Sequence, residues 1–385
     1  MRILQVNKFY YRRGGDCVVA QRTESMLREH GHEVAVFAMD YPLNDPSPWS
    51  KYFATEVNFD RSRVRGFKRM MGWGDITASF KRLLGEFKPD VVHLHNIHSY
   101  ISPVVARLAH EHGCRVVWTM HDYKLICPGY TCTRDDAACH ACFQRKWNVI
   151  LHRCMKGSKV ASIAAYVEAK KWNRDRLQGW VDRFICPSHY MAKCLHDAGF
   201  DDDKVTVLTN CVDRLPNEIV TERDDYYCYA GRLSEEKGVD NLLEVAATLP
   251  MHIKVAGTGP LEQAMHERYG QCDNIEFLGQ LNGEQVSQLL AHARFSVMPS
   301  EWPENNPLSV IESLCLGTPV VGTHMGGIPE LIDYSNGIVA RPMALGTALE
   351  QANMRTWDYR EISRDAVELF DPKLYYDRLM KIYES

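Results

Sequence analysis

Phe295-Ser-Val-Met298-Pro-Ser-Glu-Trp-Pro-Glu304-Asn305-Asn306-Pro307-Leu308-Ser-Val-Ile-Glu312 passes from a short apolar run, through a loop of prolines and polar residues, into a helical pattern. A short apolar run followed by a longer amphipathic segment is the mark of a parallel strand and its crossover helix. The same unit recurs on both sides of this stretch. In the second half, strands are expected at Tyr226–Ala230, His252–Ala256, Ile275–Leu278, Phe295–Met298 and Val320–Gly322. Helices are expected at about 239–249, 260–269, 283–293 and 307–316. In the first half, the strand candidates are Ile3–Val6, Val34–Phe37, Val91–His95, Val116–Met120 and Arg183–Cys186, with a helix over 18–30 that stops at Gly31.

The pattern loosens at Asn210-Cys-Val-Asp-Arg-Leu-Pro216 and then restarts, which places a linker there. The fold class is therefore α/β, with two doubly wound, Rossmann-like domains over residues 1–214 and 215–371. A last helix over 372–385 is left over after the second sheet and is expected to cross back toward the first domain. Ligands bind at the carboxyl ends of such strands, so the cleft between the domains is the expected site.

Composition narrows the function. The chain has 385 residues, enough for two domains, and is 45% hydrophobic and 24% charged. Lys plus Arg total 45 against 49 Asp plus Glu, a formal net charge of -4, so nothing global argues for nucleic acid. Met1-Arg-Ile-Leu-Gln-Val-Asn7 is too short and polar for a signal-peptide core, and no run of apolar residues is long enough to span a bilayer. The expected location is cytoplasmic. The 13 cysteines are then read as thiols or metal ligands, not as disulfides.

Four loops follow strands and carry chemistry. Gly14-Gly15 precedes a helix and lets backbone N–H groups approach an anion, although an ordinary turn would read the same way. Gly231-Arg232-Leu-Ser-Glu-Glu-Lys237-Gly238 offers two cations to a diphosphate, against the alternative of a solvated charged turn. Gly257-Thr-Gly259-Pro260 is only a fragment of a dinucleotide fingerprint. Glu304 sits in the loop before the last of these helices and Glu312 inside it, so one carboxylate can serve a sugar hydroxyl and the other a ribose. Pro307 is read as a first-turn proline.

These loops, with His121-Asp-Tyr123 and Gly326-Gly327-Ile-Pro-Glu330, fall in one order along nearly the whole chain. In this the sequence resembles glycosyltransferase family 4. The resemblance implies the type B glycosyltransferase fold and a retaining transferase of the hexosyltransferase class. It would move sugar from a UDP- or GDP-linked donor to a lipid-linked or saccharide acceptor, in cell-surface polysaccharide, lipopolysaccharide or glycolipid assembly. Carried onto this chain, it implies that Arg232 and Lys237 hold the donor diphosphate and Glu312 the ribose. Glu304, with the backbone of Asn305, Asn306, Pro307 and Leu308, would hold the transferred sugar. His121 would contact that sugar near the reacting carbon, and Gly14, Gly15, Gly257 and Gly259 would bring backbone to the donor. Pocket shape near Leu281 and Leu308 would choose the base and sugar. Cys211 stands where the family usually has glycine. No catalytic metal is expected. A cofactor-binding oxidoreductase lacks its fingerprint here, a zinc-linked scaffold leaves the Arg232 and Glu304 loops unexplained, and an epimerase or phosphorylase on the same fold is the nearer alternative.

Two local signals remain. Arg61–Trp73 holds five cations in nine residues and then apolar bulk, which reads as a contact with the inner membrane surface or as a solvated helix face. Cys127, Cys132, Cys139, His140, Cys142 and Cys154 cluster in an insert over 127–154. Cys139 and Cys142 have knuckle spacing, and with Cys127 and Cys154 they are expected to hold a structural zinc, Cys132 or His140 substituting if the ends of the loop do not meet; packing thiols are the alternative.

Overall fold

The structure is a computed structural model that describes residues 1–134, 137–213 and 215–385. It divides into two compact units, residues 1–208 with 376–385, and residues 209–375. The division falls before the boundary read at 214, and Arg214 itself lies outside the described residues.

The first unit carries β1 (Arg2–Val6), β2 (Glu33–Phe37), β3 (Val91–Leu94), β4 (Arg115–Thr119), a small antiparallel pair β5 (Thr133–Arg134) and β6 (Ala137–Ala138), β7 (Arg183–Cys186) and β8 (Val205–Val207). Its main sheet has the order β2-β1-β3-β4-β7-β8, and every pairing in it is parallel. The second unit carries β9 (Tyr227–Ala230), β10 (Ile253–Ala256), β11 (Ile275–Gly279), β12 (Ser296–Met298), β13 (Val320–Thr323) and β14 (Gly337–Ala340), in the parallel order β11-β10-β9-β12-β13-β14. In both sheets the strands are covered on each face by helices. They therefore read as continuous apolar runs such as Ile3-Leu4 and Val320-Val321, buried throughout.

Every strand expected from the sequence is present, with ends shifted by about a residue. β5, β6, β8 and β14 were not expected: they are two to four residues long, too short for a period to show. The C-terminal helix, Pro372–Glu384, packs its last turns on the first sheet. Tyr383 Oη lies 2.7 Å from His93 Nδ1, the Tyr376 ring stacks on His30 at 3.7 Å, and Arg115 Nε donates to the Ile382 carbonyl at 3.0 Å.

The acidic run Asp201–Asp203 is exposed, and Asp225 pairs with Arg294 at 3.2 Å. Arg69 is a correction. Read as one of the surface cations, it is buried and donates to the carbonyls of Tyr100 and Thr55 and to Asp75 Oδ1, all at 2.8–2.9 Å. Its side chain turns inward between the segments that carry Thr55 and Tyr100, and a buried guanidinium must find acceptors.

Candidate active site

Each sheet has a point where strand order reverses: between β1 and β3 in the first unit, and between β9 and β12 in the second. Loops leaving neighbouring strands at such a point diverge, and the crevice they leave is where α/β sheets bind ligands.

In the second unit the two switch-point loops are tied together. Lys237 ends the loop after β9, and Glu304 lies in the loop after β12. Lys237 Nζ is 2.5 Å from Glu304 Oε1, and Ser300 Oγ donates to that same oxygen at 2.5 Å. Ser300 is itself held by its carbonyl, which accepts from Thr323 Oγ1 at 2.5 Å. Glu304 is buried, and its backbone carbonyl accepts the Gly327 N–H at 2.7 Å. Gly326 passes directly over this peptide with φ +62, and a Cβ there would overlap the Glu304 backbone. Both of these bonds end on Oε1, and Oε2 is a further acceptor that a hydroxyl can use. Arg232, from the same loop as Lys237, is exposed, and its guanidinium makes no ion pair among the described residues.

Asn305, Asn306 and Pro307 complete the loop. Asn306 is buried and doubly bonded to Asn210: Asn210 N donates to Asn306 Oδ1 and Asn210 Nδ2 to the Asn306 carbonyl, both at 3.0 Å. The segment containing Cys211 thus braces the candidate site through Asn210, a residue that sequence reading did not single out. Pro307 is not a first-turn proline. It is the N-cap, with ψ 119, and the helix runs Leu308–Cys315. Proline in this extended conformation stops the helix from running back toward Glu304. Glu312 is half-buried inside that helix. The Gly257 backbone has φ +133 and crosses the Gly231 carbonyl so closely that a Cβ would overlap it, which locks the β10 loop onto the β9 loop. Gly259 packs on the Leu233 carbonyl in the same way. Leu281 follows β11 and packs against the cluster of Tyr226, Cys228, Ala256 and Leu289.

In the first unit, His121 follows β4 and is half-buried. Its Nε2 lies 3.0 Å from His95 Nδ1, and His95 Nε2 bonds Gln5 Oε1. Burial holds both imidazoles below the usual histidine range, so both are neutral at neutral pH. Gly14 caps the helix Gly15–Glu29, and a Cβ on Gly15 would meet nothing within 4 Å. Asp16, one residue on, places its own carboxylate in that first turn, 3.5 Å from Lys8 Nζ and 3.0 Å from Asn96 Nδ2. Lys8, Asp16, His95 and Asn96 therefore gather at the β1/β3 switch point. The alternating His93-Leu94-His95 at a strand's end was the signal for them.

In the Cys-rich insert, the convergent thiols are Cys127, Cys132 and Cys142. Hydrogen bonds from Cys132 and Cys142 hold the Cys127 thiol below the ordinary range, and Cys132 and Cys142 are pushed up in turn. Cys154 is exposed, its Cβ against Gly129, and Cys139 donates its N–H to the Cys132 carbonyl at 2.7 Å. Cys132 is thus drawn into the cluster with Cys127 and Cys142, and Cys139 and Cys154 lie close enough to act on these thiols through their charge. Among the described residues, no group of three or more His, Cys, Asp or Glu side chains is arranged to hold a metal ion.

Comparison with known proteins assigns the geometry. Residues 14–214 match the family model "Glycosyltransferase Family 4", and residues 214–352 match "Glycosyl transferases group 1". A protein in the cps region of Klebsiella pneumoniae, itself uncharacterized, is 26% identical over 86% of this chain and 87% of its own length. The lipopolysaccharide outer core galactosyltransferase WaaB, in its apo form, superposes with a TM-score of 0.65 at 14% identity, covering 99% of each chain. The Anabaena protein HepE, solved in complex with UDP-glucose, superposes with a TM-score of 0.62 at 16% identity, covering 99% of this chain and 98% of its own. These likenesses show the type B glycosyltransferase fold. With more than half of its length under one family model, and with that family's loops standing at both switch points, the chain belongs to glycosyltransferase family 4.

Proposed function

We propose that this glycosyltransferase is a retaining hexosyltransferase that uses a UDP- or GDP-linked sugar and extends a lipid-linked or saccharide acceptor in cell-surface polysaccharide or glycolipid assembly. The observation that carries the reading is the Lys237–Glu304 ion pair across the second unit's switch point, with Arg232 exposed in the same loop as Lys237 and in no ion pair among the described residues. It is supported by a relative from a cps region, by the lipopolysaccharide galactosyltransferase, and by a neighbour bound to UDP-glucose.

In this reading Arg232 and Lys237 take the diphosphate. Negative charge grows on the leaving oxygen as the bond from the sugar's anomeric carbon breaks, and preorganised cations stabilise it. Glu304 Oε2 accepts from a hydroxyl of the transferred sugar, while Lys237 and Ser300 fix the carboxylate from its other oxygen. Glu312 accepts from the ribose. The acceptor hydroxyl attacks on the face the diphosphate leaves, forming the new bond to the anomeric carbon, and its proton passes to a diphosphate oxygen. Configuration is retained without a covalent enzyme intermediate. His121 stays neutral and serves as a hydrogen-bonding partner of the sugar, with no charge of its own to stabilise. No metal enters this scheme; a zinc held by four thiols of the insert, Cys127, Cys139, Cys142 and Cys154 with Cys132 as a substitute, would be structural.

The enzyme works at the cytoplasmic face of the membrane, where lipid-linked acceptors are held. No helix among the described residues is long and apolar enough to cross a membrane. Incubating the protein with UDP- and GDP-sugars and a lipid-linked acceptor, then determining the anomeric configuration of the product by NMR, tests the reading. Retention supports it. An inverted product, or free sugar with no transfer, overturns it.

A further inference from the structure

The cationic helix Arg63–Met70 does not stand alone on the first unit. The chain after it ends in Trp73, which is 55% exposed and meets the Phe67 ring edge-on at 6.5 Å. Phe67 and Val64, one turn apart on that helix, are exposed as well, Val64 at 70%. On the other side of Trp73 lies Lys171, its ammonium 5.0 Å from the indole centroid. Lys171 also donates to the Met71 carbonyl, and Trp172 Nε1 donates to Met70 O at 2.7 Å, so the end of the helix Lys159–Lys171 is bolted to the end of the cationic one.

That second helix carries Val160, Ile163 and Val167, all exposed, Val160 at 70%. At 3.6 residues per turn these three and Lys171 share one face. The stripe therefore runs from Val160 through Ile163 and Val167 to Lys171, onto Trp73, and on to Phe67 and Val64. A run of exposed apolar side chains on one unit is unusual on a soluble surface and marks a contact.

Its border is cationic. Arg61, Arg63, Arg65 and Lys68 are exposed beside Val64 and Phe67. Lys159 and Lys170, both exposed, stand at the two ends of the stripe. Across 61–74 and 137–174 the only carboxylate is Glu168, which is buried and bonded to Ser99 and to Lys124. Pairing this surface with a second copy of itself across a two-fold axis would set cations against cations. An anionic bilayer offers the complement on both counts: lipid phosphates for the rim and an acyl boundary for the stripe.

We propose that Val64, Phe67, Trp73, Val160, Ile163 and Val167, rimmed by Arg61, Arg63, Arg65, Lys68, Lys159 and Lys170, form one composite surface that docks on anionic lipid bilayers. The surface deepens the membrane-face reading above and rests on it for the choice of a bilayer as partner. The Lys159–Lys171 helix, which has no dense run of cations, is as much a part of it as the basic helix.

Co-sedimentation with vesicles of phosphatidylcholine, with and without phosphatidylglycerol, tests this. Wild type pellets with the anionic vesicles only, and rising salt weakens the binding. The neutralised variant with Arg61, Arg63, Arg65 and Lys68 changed to Gln loses on the order of several hundred-fold in partition, at about fivefold per cation. The variant with Val160, Ile163 and Val167 changed to Ser keeps every charge and should lose on the order of tenfold, because its side chains no longer insert. Trp73 fluorescence shifts blue on binding and is quenched by brominated lipid. Wild-type partition in the serine variant overturns the composite surface. So does equal binding to neutral vesicles, or a vesicle-free dimer that the serine variant dissociates. All these positions are exposed, so matched melting curves check the fold. Calorimetric binding of UDP or GDP without vesicles is the separate readout: its loss in wild type would sink the transferase reading and leave the vesicle result standing.

Discussion

Lys237 Nζ and Glu304 Oε1 stand 2.5 Å apart, an ion pair that joins the loop after β9 to the loop after β12. Glu304 is nearly buried and Lys237 about two-thirds buried, so the pair is both a brace within the second unit and the proposed diphosphate grip.

That double duty separates two cations that the sequence presents as equals. Lys237→Ala leaves a buried carboxylate unpaired and should cost about 2 kcal/mol of stability, since partial exposure of the lysine softens the loss. Arg232→Ala removes an exposed, unpaired guanidinium and should leave stability within about 0.5 kcal/mol. Both should lose about 2–4 kcal/mol of transition-state stabilisation, roughly 30- to 1,000-fold in rate. Denaturant titration and product assay of the two variants check this. Wild-type turnover in both would remove them from the site.

The two glutamates should divide the donor between them. Glu312→Gln weakens binding of the bare nucleoside diphosphate, because the ribose contact is shared by every ligand. Glu304→Gln spares the nucleotide and weakens the sugar-bearing donor by about 1.5–3 kcal/mol, the worth of a hydrogen bond to a charged group. Calorimetry with both ligands on both variants decides; equal losses throughout would contradict the division.

Buried neutral histidines make the first unit acid-sensitive. Burial lowers His93 and His98 to about 3, while the unfolded chain titrates near 6.5. Above that unfolded value both states are neutral and pH has no effect through these groups. Below it the unfolded state binds protons that the folded state refuses, so stability falls as pH drops from about 6.5 toward about 3, by about 1.4 kcal/mol per pH unit for each histidine. Chemical denaturation at stepped pH should show this slope, and His98→Gln should remove about one histidine's share. A flat profile down to about pH 5 would show that these imidazoles are not kept neutral.

The Cys-rich insert has its own test. With zinc bound, protein purified without chelator should carry about one zinc per chain, and Cys127, Cys132 and Cys142 should resist thiol reagents until a chelator is added. Cys127→Ser, at the thiol on which Cys132 and Cys142 converge, should then release metal, whereas Cys272→Ser, far along the chain from the insert, should not. Metal well below one per chain, with the native thiols slow only through burial, would return them to packing.

The alternation of apolar runs and amphipathic segments was enough to divide the chain into two doubly wound sheets, because a strand covered on both faces must be apolar along its length. The loops were legible for a related reason. Gly257 and Gly326 lie where backbone crosses backbone, a demand that only glycine meets without strain; Arg232, Lys237 and Glu304 are charges in loops that follow strands, and Glu312 is a charge in the helix after one of them. Periodicity, however, records which face of an element is buried and says nothing of what it meets. Lys237 finds Glu304 across 67 residues, Asn210 finds Asn306 across 96, and His95 finds Gln5 across 90. Arg69 looked like its neighbours until its helix turned it inward to Asp75. Val160, Ile163 and Val167 drew no reading from the sequence; the fold leaves them exposed and lays Lys171 on Trp73. Such pairings depend on how sheets and helices stack, and only the tertiary structure decided them.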